Sequence, residues 1–208
     1  MIRLFLIRHG ETAWNVLGKY QGQSDVALSE NGIEQAERLA ANFPADTLDR
    51  VYTSDLIRAA ETAQMVAGRF GIPVKKCRDF REIDFGDWEG RTYKEIASRW
   101  PEAMANFFRH PDILKIPNGE TFQELQIRAM KALTHILSDK ENEGKSVAVF
   151  AHGAIIRTML AGVLGMPLAN LWRIRQSNTA VNSIRCDDGF PMIELLNDTC
   201  HLERKSSH

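Results

Sequence analysis

The sequence predicts an α/β protein: a three-layer α/β/α sandwich on a mostly parallel central sheet, with a small helical cap insertion. Three observations carry that expectation. Residues 2–7 and 146–151 are short, nearly continuous apolar runs, the composition of strands buried on both faces. The first run leads through Arg8 into His9-Gly10 and the second into His152-Gly153, each followed by a segment that can be helical. Strand-like and helix-like segments alternate along most of the chain, as in βαβ units.

The elements follow in order. After Gly10 the chain is polar and irregular to about Ser29, with a turn-like Gln21-Gly22-Gln23 patch. Ser29 can cap a helix whose apolar positions are Ile33, Ala36, Leu39, Ala40 and Phe43, ended by Pro44. Arg50-Val51-Tyr52-Thr53 reads as a strand running into a helix over 55–70, stopped by Gly71 and Pro73. A short strand is expected over 73–78. Residues 81–118 break the rhythm: a carboxylate-rich stretch, Glu82-Ile83-Asp84-Phe85-Gly86-Asp87-Trp88-Glu89-Gly90, precedes two short helical stretches over 93–100 and 102–109. We expect one domain over 1–208, with a cap over about 84–118 whose own small core is Trp88, Trp100, Met104, Phe107 and Phe108, one or two of them lining a pocket. Thr121-Phe122-Gln123-Glu124 is a capping box opening a helix with the stripe Phe122, Leu125, Ala129, Leu133 and Ile136. Residues 154–164, apolar on nearly all sides, predict a buried helix, and Asp188-Gly189 predicts a hairpin at the sheet edge. The charged tail after Leu202 is expected to fray.

Bulk properties exclude several functions. The 208 residues carry 26 Lys+Arg against 27 Asp+Glu, a net charge of -1, so no global field recruits nucleic acid or an anionic membrane. No stretch approaches the roughly 18 consecutive apolar residues of a membrane span. Cys77, Cys186 and Cys200 are odd in number and widely spaced, which fits a reducing compartment. The expectation is a cytoplasmic protein with no nucleic-acid or membrane partner. Self-association as a homodimer is left open.

In open α/β sheets, ligands bind outside the carboxyl ends of the strands. If the two His-Gly strands are neighbours, both imidazoles project into one crevice, with Arg8 beside His9. The junction Thr53-Ser54-Asp55 places Arg58 in the first turn of a helix near the same rim, where the helix N-terminus itself attracts anions. None of the six histidines forms a close pair such as His-x-x-x-His, no thiolate cluster occurs, and there is no Gly-x-x-x-x-Gly-Lys-[Ser/Thr] loop. No metal and no cofactor are therefore expected.

These residues resemble the histidine phosphatase superfamily, in its phosphoglycerate mutase-like branch. The resemblance runs through Leu6-Ile7-Arg8-His9-Gly10-Glu11-Thr12-x-x-Asn15, Tyr52-Thr53-Ser54-Asp55-x-x-Arg58-Ala59-x-x-Thr62-Ala63, Arg81-Glu82-Ile83-x-Phe85-Gly86-x-Trp88-Glu89-Gly90, Gly119-Glu120 and Ala151-His152-Gly153. It implies that His9 is the nucleophile, that Arg8, Arg58 and His152 bind the phosphoryl oxygens, and that Glu82 is the proton donor. Asn15, Gln21, Gly22 and Gly153 would help to seat the substrate. Asp84, Asp87 and Glu89 compete with Glu82 on sequence alone; only the resemblance singles it out.

The resemblance also implies a small phosphorylated metabolite as partner and a metal-independent phosphomonoesterase, of broad specificity or of the α-ribazole-5'-phosphate type. A cofactor-dependent phosphoglycerate mutase is the first alternative. Against it, Ala154 follows His152-Gly153 where the mutase pattern has Asn, and the segment after Glu82 has the phosphatase composition. A non-catalytic phosphate-binding regulator is the second alternative, but no expected catalytic residue is missing. The apolar content of the cap leans away from multiply charged substrates.

Overall fold

The computed structural model describes residues 1–203. Its strands are β1 (Ile2–Arg8), β2 (Arg50–Thr53), β3 (Val74–Lys76), β4 (Ser146–Ala151), β5 (Val181–Asp187) and β6 (Phe190–Asp198). The helices are α1 (Ala13–Val16), α2 (Glu30–Ala41), α3 (Ile57–Phe70), α4 (Tyr93–Arg99), α5 (Pro101–Arg109), α6 (Phe122–Ser138), α7 (Gly153–Val163) and α8 (Cys200–Glu203). One sheet runs in the order β3-β2-β4-β1-β5-β6. The pairs β3-β2, β2-β4 and β4-β1 are parallel, while β5 is antiparallel to both of its neighbours.

The two His-Gly runs lie side by side at its centre, and their lack of alternation has a direct cause. Leu4, Leu6, Val147 and Val149 project into one apolar cluster with α6, α7 and the 83–116 segment. Phe5, Ile7, Ala148 and Phe150 project into a second, with α2 and α3. A strand covered on both faces has no polar side to present.

Local chemistry explains most boundaries. Ser29 caps α2 and accepts from the Gly32 amide, yet Ile33, expected on the buried stripe, is exposed; Gly32, Ala36 and Leu39 take the inner face. Helix α3 begins at Ile57, two residues later than expected: Leu56 is extended and the Ile57 amide donates to Asp25 Oδ1 at 2.7 Å, while the Asp55 carboxylate takes a two-pronged contact from Arg81 (2.7 Å and 2.7 Å). Asp188 and Gly189, with φ of 48° and 80°, turn β5 into β6, the positive angles that a two-residue hairpin requires. Leu202 and Glu203 belong to α8; the rest of the tail expected to fray lies outside the described residues.

The 84–118 segment has no separate core. Phe85, Trp88, Met104 and Phe107 join the same cluster as Leu125 and Ile155, and Trp172 Nε1 donates to the Phe107 carbonyl. Trp100 only packs against that cluster, and Phe108 is exposed at the cavity mouth.

Candidate active site

Parallel pairing of β1 with β4 sets Arg8 opposite Ala151, and the His9 amide donates to the Ala151 carbonyl at 3.0 Å. The next residue on each strand is a histidine, so both rings leave the sheet at one carboxyl edge. Their centroids are 5.2 Å apart. His9 Nδ1 lies 2.6 Å from the Gly10 carbonyl oxygen. A carbonyl can only accept, so Nδ1 carries the proton and Nε2 keeps its lone pair. Burial first, and then the charges of Arg58 and Arg8, hold His9 well below the ordinary histidine range. His152 is lowered by burial and by Arg58, and neither of its ring nitrogens has a protein partner.

Arg8 and Arg58 are anchored from behind. Arg8 Nη1 donates to the Gln176 carbonyl at 2.7 Å; Arg58 Nη1 and Nη2 donate to the carbonyls of Ser24 and Gly22, each at 2.7 Å. The Nε atom of each is buried without a partner. Desolvation pushes Arg58 down to about 10, which leaves it charged at neutral pH. Gly22 therefore acts through its carbonyl, aiming Arg58. Its φ is 53°, and a Cβ there would lie 2.9 Å from the Phe85 amide nitrogen and 2.0 Å from Glu89 Oε1, so a larger residue is strained.

Glu82 reaches over the start of α7. Its Oε2 accepts from the Ala154 amide (3.0 Å), and its Oε1 accepts from the amides of Ile155 (3.1 Å) and Ile83 (3.0 Å). Of the four competing carboxylates, Glu82 alone lines the cavity. Asp84 accepts from Gly86, Asp87 from Asn118, and Glu89 from Gln23, Ser24 and Phe85, so those three close loops.

Two supports were not legible. Arg128 on α6 donates to the carbonyls of Asp79, Arg81 and Glu82 and to both oxygens of Glu120, at 2.7 to 2.9 Å. It thereby fixes the loop that carries Glu82. The 176–180 segment cradles β1: the Thr179 amide and the Asn178 side chain both donate to the His9 carbonyl. Thr179 has a φ of 54°, a rare angle for a β-branched residue, and its hydroxyl contacts buried His201 of α8 at 3.0 Å. Helical Arg and loop Thr have no sequence signature for such roles.

Asn15 Oδ1 accepts from the Thr12 amide (3.1 Å) and Asn178 Nδ2 (3.3 Å), and Gln21 Oε1 lies 3.0 Å from the Thr12 hydroxyl. Both, with Arg8, His9, Gly22, Arg58, Glu82 and Gly153, line one cavity of about 410 Å³. His152 adjoins it through its contact with His9. All nine predicted site residues are thus brought together. The arrangement joins an unprotonated ring nitrogen, fixed guanidinium groups and a carboxyl group, the parts that phosphoryl transfer needs.

Comparison with known proteins agrees with this geometry. The description "Histidine phosphatase superfamily (branch 1)" belongs to a family profile that matches residues 4–199. The chain is 32% identical over 202 residues to phosphoserine phosphatase 1 of Hydrogenobacter thermophilus, covering 97% of this chain and 95% of that one. It is 31% identical over 196 residues to the adenosylcobalamin/alpha-ribazole phosphatase of Salmonella typhimurium, covering 94% and 96%. The solved structure of Bacillus stearothermophilus YhfR superposes with a TM-score of 0.91 at 37% identity, covering 96% and 98%. On its sequence, its fold and the content of its cavity, the chain belongs to the histidine phosphatase superfamily, branch 1.

Proposed function

We propose that the protein hydrolyses phosphomonoesters of small metabolites through a phosphohistidine at His9, without a metal ion. The observation that carries this reading is the His9 ring, its Nδ1 proton donated to Gly10 and its Nε2 free beside Arg8, Arg58 and His152. The lone pair of Nε2 attacks phosphorus while the ester oxygen leaves with a proton from Glu82. Arg8, Arg58 and His152 hold the phosphoryl oxygens, where developing charge is stabilised by groups already in place. Water activated by Glu82 then attacks the phosphohistidine, releasing phosphate and restoring the acid. The 84–118 segment acts as the cap over this site. The relatives named for phosphoserine and alpha-ribazole phosphatase activity support a small phosphorylated substrate.

The site also satisfies the first half of a mutase reaction, so the acceptor decides. With 3-phosphoglycerate and its bisphosphate supplied together, phosphate release is expected to exceed isomer formation. Faster isomer exchange would replace the phosphatase reading with the mutase one.

A further inference from the structure

The His9 ring is aimed by a backbone carbonyl. Its Nδ1 lies 2.6 Å from the Gly10 oxygen, and that contact fixes both the tautomer and the direction of Nε2. Yet the carbonyl belongs to a glycine, whose own backbone torsions no side chain restrains. Packing calls for that glycine, because a Cβ on Gly10 would lie 2.5 Å from the Gly32 carbonyl oxygen. A Cβ on Gly32 would in turn run into the Glu11 carbonyl. The two glycines let α2 press directly on residues 10–11.

The peptide units on either side of Gly10 are tied from different elements. The His9–Gly10 unit is held at its oxygen by the Thr179 amide and the Asn178 side chain, and at its nitrogen by Thr62 Oγ1 at 3.1 Å. Those ties stop at the Gly10 torsion. The next unit, whose oxygen faces the His9 proton, is tied at its nitrogen: the Glu11 amide donates to Gln35 Oε1 at 2.9 Å. An amide N–H can only donate, so the Gln35 atom facing it is the oxygen. Gln35 is half-buried on α2, and the start of that helix is docked on the same stretch by the Ser29 amide, which donates to the Glu11 carbonyl at 2.9 Å.

We propose that Gln35 is a positioning residue for the nucleophile: it holds the Gly10–Glu11 peptide so that the Gly10 carbonyl keeps the Nδ1 proton and Nε2 faces phosphorus. This rests on the phosphatase reading, in which His9 attacks. One peptide unit carries both hydrogen bonds, so each polarises the other. The Gln35 oxygen draws on the N–H, the Gly10 oxygen becomes the stronger acceptor, and electron density in the ring rises toward Nε2. Gln35 touches neither substrate nor reacting atoms. Its acceptor oxygen, rather than its bulk, produces the effect.

Gln35→Met tests this, since it keeps the length and helix propensity of the side chain and removes the oxygen. Nitrogen NMR of the labelled free protein at neutral pH reads the His9 ring, assigned by the loss of its signals in His9→Gln. The wild type is expected to show the Nδ1-protonated tautomer alone, and Gln35→Met a mixture of both. First-turnover release of p-nitrophenolate at saturating p-nitrophenyl phosphate reads attack by Nε2 without the proton from Glu82. Gln35→Met should slow that step by about tenfold, the kinetic equivalent of one hydrogen bond, with KM little changed. Gln35→Glu restores the acceptor and should return both the tautomer and the rate. If Gln35→Met does not fold, Gln35→Asn, too short to reach the Glu11 amide, replaces it with the same expectations. An unchanged tautomer in the variant lacking the acceptor, a loss confined to KM, or an equal loss in Gln35→Glu would overturn the proposal and leave Gln35 as a strut between α2 and the loop. The ring signals need no turnover, so failure of the wild type to release p-nitrophenolate would instead overturn the phosphatase reading itself.

Discussion

His9 and His152 enter the site as neutral rings because burial and two neighbouring arginines both oppose a third and fourth positive charge. That same depression links them to stability. Unfolded, each titrates near 6.5; folded, each stays unprotonated well below that value. As pH falls below about 6.5 the unfolded chain therefore takes up protons that the folded one does not, and stability is lost until the folded values are reached. Each ring contributes a slope of about 1.4 kcal/mol per pH unit in that window. Urea unfolding between pH 7.5 and 5 is expected to show falling stability, with His152→Asn giving a slope shallower by about that amount. A variant slope identical to wild type would contradict the assignment. Glu82 is tested by leaving-group basicity. Glu82→Gln is expected to slow an alkyl phosphate by about two to four powers of ten, the usual scale of general-acid help. It should slow p-nitrophenyl phosphate far less, because that phenolate leaves without a proton. Single-turnover rates make the comparison; equal losses would reassign Glu82 to positioning.

The strand–helix junctions were readable because each combines a short apolar run with an abrupt polar residue at its carboxyl end. Both β1 and β4 announce themselves in this way, and their pairing brings His9 and His152 together. The Thr121 capping box marked the start of α6 to the residue. Where sequence reasoning failed, a long-range partner had replaced the local rule. Asp55 reads as a first-turn acid of α3, but its bond to Arg81 ties it to the loop carrying Glu82. Ile33 fits the helical period of α2, but the close approach of Glu11 to Gly32 turns the helix so that Ile33 faces out. Arg128 carries no sequence signal for its role, because three of its acceptors are backbone carbonyls 46 to 49 residues away. Spacing alone does not separate Glu82 from the other three carboxylates; the family resemblance names it, and of the four it alone lines the cavity.

The whole molecule is nearly neutral, with a net charge of -1, while its cavity gathers four cations around one carboxylate. Attraction for an anionic substrate is therefore local, produced by a sheet that delivers Arg8 and two imidazoles from adjacent strands and by helices that supply Arg58 and Arg157. Residues 84–118 add a wall, through Phe85, Tyr93 and Phe108, rather than a separate unit, since their buried side chains belong to the same cluster as α6 and α7. Among the described residues no helix is long and apolar enough to cross a membrane. The central claim is that this arrangement transfers a phosphoryl group to His9 before water removes it. Rapid quenching of the protein with a radiolabelled phosphomonoester, followed by peptide mapping, tests it most directly. The account predicts a stoichiometric label, stable in alkali and lost in acid, on the peptide carrying His9, and no label in His9→Gln. Turnover without any such intermediate, or a label on another residue, would contradict it.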